Sequence, residues 1–188
     1  NSQPEQVIRA SKYIAVSDCM CRRIQGLTGK PCSKPSEVCF HFGSGCHYFV
    51  ENGLARYIDQ AEALSILKKG LEASLVCQMS SSQNPVAMCM CCACCCEPLQ
   101  AFIRHDKPAE LINSSFFARV NESDCSGCEL CVETCPMGAI SVEDVACVNT
   151  DRCIGCGVCS VNCPADAIKT VRKDKDSEFI PERDTVAA

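Results

Sequence analysis

Two cysteine-rich segments repeat each other in the second half of the chain. They read CSGCELCVETCPMGAI from Cys125 and CIGCGVCSVNCPADAI from Cys153, and they agree at each cysteine, at the proline and at the closing Ala-Ile. Each segment has the spacing C-x2-C-x2-C-x3-C-P. In this iron–sulfur spacing three cysteines ligate one cluster and the fourth ligates the cluster of the other repeat. The duplication therefore predicts a unit that holds two clusters.

The exchanged fourth cysteine assigns the ligands of two predicted [4Fe-4S] clusters. The first set is Cys125, Cys128, Cys131 and Cys163. The second set is Cys153, Cys156, Cys159 and Cys135. Gly127, Gly155 and Gly157 are expected to let the backbone approach closely, so that N–H groups can point at cluster sulfurs. A pair of zinc ribbons is the alternative, since those also use C-x2-C spacing, but the prolines after both runs favour iron.

The residues around the two repeats have strand character. SFFARVNES precedes the first repeat, and the β-prone stretches ISVEDVACVNT and IKTVRKD follow the two repeats. This order predicts a strand, a cluster loop with a short helix, a hairpin, a second cluster loop with a short helix, and a final strand. Five valines are expected to close a small sheet under the clusters: Val120, Val142, Val145, Val148 and Val171.

With these motifs, residues 116–172 resemble the ferredoxin-like domain that holds two [4Fe-4S] clusters. The resemblance implies low-potential electron transfer by tunnelling between closely spaced clusters, without bond-making at the cluster. The spacing itself does not set the reduction potential, because hydrogen bonds, charge and solvent exposure determine it. Arg152 stands beside Cys153, where its charge would raise one reduction potential slightly, but it is interpreted as a solvated arginine.

Composition restricts the class of protein further. Cysteine makes up 21 of the 188 residues and tryptophan is absent, so sulfur chemistry must supply part of the folding free energy. The odd cysteine count and the lack of a signal peptide argue against a secreted disulfide framework. A net charge of −5 disfavours nucleic acid as a partner. The apolar run 86–96 is too short to span a bilayer, so we expect a cytoplasmic protein.

Ten cysteines of the N-terminal half form two further groups. Arg22 and Arg23 would offset part of the negative charge of a cluster near the first group. Two four-ligand clusters would use all but two of these thiols, so we predict two clusters with at least two non-ligands, or one larger cluster. Zinc remains an alternative here, since the spacing is not diagnostic. The candidate ligands are Cys19, Cys21, Cys32, Cys39, Cys89, Cys91, Cys92, Cys94, Cys95 and Cys96.

Helical patterns dominate the predicted elements of this half. One helix is expected from the N-cap Ser36 to Gly53, and another after Asp59 and Glu62, which occupy capping-box positions. The fold class is therefore α+β, a ferredoxin-like domain joined to a mainly helical, cysteine-rich domain. Three histidines are taken as helix or surface residues, and two cysteines as non-ligands. These are His41, His47, His105, Cys77 and Cys147.

The predicted domains are residues 1–114, 115–173 and a charged tail, 174–188. Between Tyr13 and Arg172 the chain also resembles a family of multi-cluster 4Fe-4S proteins of anaerobic bacteria and archaea. The resemblance rests on CMCRR, PCSKPSEVCFHFG, NGLARYIDQAEAL and CMCCACCCEPL, followed by the two-cluster domain. It implies a redox module that forms the C-terminal part of a longer polypeptide, as the absence of an initial Met also indicates.

Three functions follow from these observations. The first is an electron carrier, or an electron-transfer subunit of an oxidoreductase complex, without catalytic residues of its own. It would use two ferredoxin-type clusters and one or two N-terminal clusters to serve redox partner proteins. The second is a reductase whose N-terminal cluster has unusual ligation and binds substrate. The third is a redox sensor joined to a regulatory segment upstream.

Overall fold

The structure, a computed structural model, describes residues 3–80, 82, 84–112 and 114–173. Contacts divide the chain into two compact units, the first ending at Cys91 and the second beginning at Cys92. Both units mix helices and strands, as an α+β class predicts. Every helix in the part of the chain that the structure describes is too short or too polar to cross a bilayer. The predicted division after residue 114 stays a prediction, and the predicted tail lies outside the described residues.

The first unit contains a five-stranded antiparallel sheet and four helices. The strand order is β3-β1-β2-β5-β4. The strands are β1 Ile14–Asp18, β2 Glu37–Phe42, β3 Arg56–Ile58, β4 Val76–Met79 and β5 Ala87–Cys91. The helices are α1 Gln3–Ala10, α2 Met20–Leu27, α3 Gly43–Glu51 and α4 Gln60–Glu72.

The prediction of one helix from Ser36 to Gly53 is wrong for its first part, which forms strand β2. The physical reason is the period of the apolar residues: Val38, Phe40 and Phe42 alternate with more polar residues and are all buried on one side of the strand. The helix begins only at α3. The description of this half as mainly helical therefore missed the sheet.

The second predicted helix is confirmed as α4. Its N-cap is Asp59, whose Oδ1 accepts a hydrogen bond of 2.8 Å from the backbone N–H of Glu62. This is the capping interaction expected at a helix start. The helix packs on the face of the sheet that carries the fully buried Met88 and Met90, and Gly70 of α4 leaves room for Met90.

The second unit has the element order predicted from the repeats. After α5 Glu97–Ile103 and α6 Pro108–Leu111 come β6 Phe116–Val120, α7 Leu130–Thr134, β7 Ile140–Val142, β8 Ala146–Val148, α8 Val158–Val161 and β9 Ile168–Arg172. The strands pair as two separate two-stranded sheets, β6 with β9 and β7 with β8.

The five valines expected under the clusters are only half-buried. The buried side chains of these strands are instead Ala118, Ile140, Ala146 and Ile168. Small alanines at these positions leave space for the two cluster loops beside the strands. The prediction of one valine-lined sheet is therefore corrected to two short ribbons with alanine and isoleucine inside.

Candidate metal centres

The first predicted ligand set surrounds one cavity of the second unit. Cys125, Cys128 and Cys131 come from the first repeat, and Cys163 comes from the second repeat after α8. All four line the cavity together with backbone of the Ser126–Gly127 turn. Four thiols that converge in this way suit the four iron corners of a cubane cluster.

The second predicted set surrounds another cavity with the same arrangement. Cys153, Cys156 and Cys159 come from the second repeat, and Cys135 comes from the end of α7 in the first repeat. The structure thus brings each set of four cysteines together, including the exchanged fourth member. The pseudo-symmetry of the duplicated sequence is reproduced in the positions of the thiols.

Backbone N–H groups donate to several of these eight sulfurs. The amide of Ala118 donates to Cys153 Sγ at 3.5 Å, and the amide of Ala146 donates to Cys125 Sγ at 3.4 Å. The amide of Ala139 donates to Cys135 Sγ at 3.3 Å. Such bonds stabilise negative charge on cluster ligands and raise the reduction potential.

Close backbone approach is required at Gly155, although the neighbour is strand β6 and not a cluster sulfur, so the predicted approach of N–H groups to the cluster stays a prediction. Its φ is +66°, and a Cβ atom added there would lie 2.1 Å from the carbonyl oxygen of Phe116. No side chain fits at that distance, so the loop of the second cavity can lie directly against β6. This contact places Cys153 within reach of the Ala118 amide.

Arg152 is not a solvated arginine, contrary to the interpretation from sequence. Its guanidinium is half-buried and donates to the carbonyl oxygens of Met137 at 2.7 Å and Ile103 at 3.2 Å. It also reaches those of His105 and Asp106, at 3.2 and 3.3 Å. The residue therefore ties the segment after α5 to both cluster loops. Sequence reasoning missed this because the carbonyl oxygens come from distant parts of the chain.

The electrostatics of these thiols favour a bound cation. Burial raises the pKa of Cys131, that of Cys156 to about 11 and that of Cys159 to about 12. A buried thiolate is unfavourable without positive charge beside it. Iron supplies that charge and deprotonates its thiol ligands, so the donor set fits an iron–sulfur cluster.

A third group of thiols lies on the sheet of the first unit. Cys39 of β2 and Cys89 of β5 are direct cross-strand partners, and Cys91 is two residues beyond Cys89 on the same side of β5. The Cys39 thiol is hydrogen-bonded to the thiols of Cys19 and Cys89, and the Cys89 thiol is also hydrogen-bonded to that of Cys91. The structure therefore brings four of the ten predicted N-terminal ligands together.

Hydrogen bonds between these thiols lower the pKa of Cys19 and Cys89 and raise that of Cys39. The pKa of Cys19 is lowered by the neighbouring Cys39 thiol and by the first-turn amides and the charge of Arg22 in α2. The pKa of Cys89 is lowered by Cys39 and Cys91, while that of Cys39 is raised by Cys19 and Cys89. Several thiols that share protons in this way are suited to exchange them for one metal centre.

Arg22 is buried, with 5% of its surface exposed, whereas Arg23 is exposed. The Arg22 guanidinium donates to the carbonyl oxygen of Met90 at 3.1 Å, between Cys89 and Cys91. A buried cation beside four thiols fits a negatively charged, thiolate-ligated cluster, since buried charges are stable mainly when they are paired.

A fourth group lies in the turn that begins the second unit. The Sγ atoms of Cys92, Cys94 and Cys95 lie within 4.8 Å of one another. The other predicted ligands are Cys21 in α2, Cys32 in the loop before β2, and the buried N-cap of α5, Cys96.

The residues taken as non-ligands have varied positions. Cys147 is exposed on β8, and Cys77 lies in β4, where burial raises its pKa to about 12. His41 was expected on a helix or on the surface, but it is a buried residue of β2. Its ring stacks on Phe49 with centroids 3.8 Å apart, and its Nε2 lies 2.9 Å from the Ser17 hydroxyl.

Comparison with known families gives one match. Residues 124–167 match the 4Fe-4S dicluster domain family. This segment holds all eight cysteines that surround the two cavities of the second unit. Comparison with curated proteins found no significant match. The matched segment and the many cysteines support iron–sulfur chemistry for this part of the chain.

Proposed function

We propose that the protein is an electron-transfer iron–sulfur protein that relays low-potential electrons between redox partner proteins. The observation that carries the proposal is the pair of cavities, each surrounded by four cysteines with the fourth exchanged between repeats. Agreement of the same segment with the 4Fe-4S dicluster family adds support. The proposed ligands are those of the two sets described above.

Bound [4Fe-4S] clusters would supply one-electron redox chemistry. The chain's own residues hold the ligands in place, keep water away and adjust the potential. Amides of Ala118, Ala139 and Ala146 donate to ligand sulfurs, and the Arg152 guanidinium donates to the carbonyl oxygen of Met137, a residue that lines the second cavity. Each of these makes the addition of an electron easier.

The N-terminal thiols are proposed to hold one or two further clusters. Cys19, Cys39, Cys89 and Cys91 form the proposed first site, in which each thiol is hydrogen-bonded to the next in that order. Cys92, Cys94 and Cys95 form the core of a proposed second site within the second unit. Two four-ligand sites would use eight of the ten candidate thiols and leave two as non-ligands.

Anaerobic purification followed by iron and acid-labile sulfide analysis tests the proposal. The two ferredoxin-type clusters alone require about eight iron atoms and as many sulfides per chain, and the N-terminal sites would raise the count toward about sixteen. Reduced protein should give EPR signals of interacting [4Fe-4S] clusters. Zinc in place of iron, or iron without sulfide, would contradict the proposal.

A reductase is the second candidate. It is favoured by the exposure of Cys89 and Cys94, because a cluster on these thiols could be reached by a small substrate. Addition of candidate substrates to the reduced protein should then change the EPR spectrum of one N-terminal cluster. Spectra that stay unchanged with every substrate would leave electron transfer as the function. Thiolate ligation in either case suits a reducing compartment such as the cytoplasm.

A further inference from the structure

The two repeats match in sequence at their ligands but differ in their exposure. Cys128 of the first repeat is exposed, whereas the equivalent Cys156 is half-buried. Leu130 is 38% exposed, whereas its equivalent Val158 is 1% exposed. The first cluster loop therefore faces the surroundings, and the second is covered. Electrons tunnel most readily over short distances, so the first loop is the better point of exchange.

Acidic residues are concentrated in and around the first repeat, whereas the basic residues of 121–172 lie just before the second repeat and in the strand after it. Residues 121–148 contain six acidic residues and no lysine or arginine. Residues 149–172 contain two acidic and three basic residues. The acidic residues of the first stretch are Glu122, Asp124, Glu129, Glu133, Glu143 and Asp144, and all six are exposed.

Glu129 occupies a costly backbone position. Its φ is +62°, in the left-handed region that glycine prefers, and the equivalent residue of the second repeat is Gly157 with φ +76°. A non-glycine residue in this region carries backbone strain, because its Cβ atom crowds the neighbouring carbonyl oxygen. The chain accepts this strain and thereby places a carboxylate next to the exposed Cys128.

Apolar and acidic side chains combine at this loop into one surface. Leu130 and Val132 are each 38% exposed. Glu129 and Glu133 are one helical turn apart, and the backbone of Asp144 lies against Gly127, where an added Cβ would be 2.9 Å from its carbonyl oxygen. Exposed apolar side chains next to charged ones are typical of a protein interaction site.

We propose that this acidic patch, formed by Cys128, Glu129, Leu130, Val132, Glu133 and Asp144, is the docking surface for a redox partner whose own face combines basic and apolar residues. The proposal rests on the proposed electron-transfer function. One electron leaves the reduced first cluster and reduces the oxidised partner, and no bond or proton is exchanged. Opposite charges on the two faces accelerate the encounter.

The test is the rate at which ferricytochrome c, a basic redox protein, oxidises the reduced holoprotein in anaerobic stopped-flow experiments. The Glu129→Lys/Glu133→Lys variant should be oxidised at least about tenfold more slowly at low ionic strength, since electrostatic steering changes such rates by about 10- to 1,000-fold. The decrease of the wild-type rate with added salt should vanish or reverse in this variant.

Two controls make the result specific. Glu72→Lys/Glu110→Lys produces the same change of net charge at exposed positions outside the patch, and its rate should stay within about twofold of wild type. Ferricyanide, a small anion, should oxidise the patch variant at least as fast as wild type. If the lysine variant does not fold, Glu129→Gly/Glu133→Gln keeps the test available, because glycine suits the φ of position 129.

The outcomes separate the two proposals. A wild-type protein without iron and sulfide would overturn the proposed function. Fully loaded clusters that ferricyanide oxidises, together with a cytochrome rate that the patch variant leaves unchanged, would overturn the docking surface alone. An equal loss of rate in the control variant would also overturn it, because the effect would then come from net charge.

Discussion

Replacement of Gly155 by alanine probes how the second cluster loop is held against β6. The added Cβ would lie 2.1 Å from the Phe116 carbonyl oxygen and 2.8 Å from the Ser114 hydroxyl. The backbone oxygen cannot move aside without separating the loop from β6. We therefore expect Gly155→Ala to weaken the Ala118 N–H contact with Cys153 as well as the fold.

The expected loss of unfolding free energy has two parts. A side chain at φ +66° costs about 1–2 kcal/mol from the left-handed backbone alone. Overpacking against a fixed neighbour costs about 1–3 kcal/mol more. The sum is a destabilisation of about 2–5 kcal/mol. Gly138→Ala is the matched control, since Gly138 has φ +57° but nothing within 4 Å of an added Cβ, so only the first part applies.

The assay is the unfolding midpoint of the anaerobic holoprotein in urea, with the absorbance of the clusters and the circular dichroism followed together. Gly155→Ala should unfold at a clearly lower urea concentration than Gly138→Ala and should lose the EPR signal of the second cluster first. Equal midpoints for the two variants would refute the steric reasoning.

Three further predictions concern other parts of the chain. Metal analysis should show that Cys89→Ser lowers the iron content by about four atoms per chain. Cys77→Ser should leave the iron content unchanged, because Cys77 is paired in the sheet with a core methionine and is not a proposed ligand. Asp59→Ala should destabilise the first unit by about 1 kcal/mol through loss of the α4 cap, measured by chemical denaturation. Arg152→Met should destabilise the second unit by about 3 kcal/mol in the same assay, because several carbonyl oxygens lose a charged donor. It should also shift the second cluster to a more negative potential in an EPR-monitored redox titration.

The cluster loops were the most predictable part of the fold. Their element order from β6 to β9 was predicted correctly, because the cysteine spacing dictates a loop and the flanking residues have strand character. The helix at α4 was also predictable, since Asp59 and Glu62 carry a local capping signal. Capping residues and cysteine spacing act within a few positions of the chain, so the structure they indicate is the same in the folded protein.

The prediction is wrong at strand β2. The alternation of Val38, Phe40 and Phe42 indicates a strand, but the N-cap pattern at Ser36 favoured a helix. Strand β5 holds a similar signal, with Met88 and Met90 alternating with cysteines. No strand was predicted for this stretch, CMC. As a strand it places Cys89 and Cys91 on one side and the methionines on the other.

The sequence alone predicted the two sets of four cysteines that line the two cavities of the second unit, because a duplicated spacing of this kind leaves few ways to wrap two clusters. Tertiary structure alone decided how the N-terminal thiols are grouped, since Cys19, Cys39 and Cys89 are far apart along the chain and meet only through strand pairing. It also decided that Arg152 donates hydrogen bonds to carbonyl oxygens from distant parts of the chain, and that the first of the two equivalent cluster loops is the exposed one. These properties depend on which surfaces become covered, and no local pattern of residues records that.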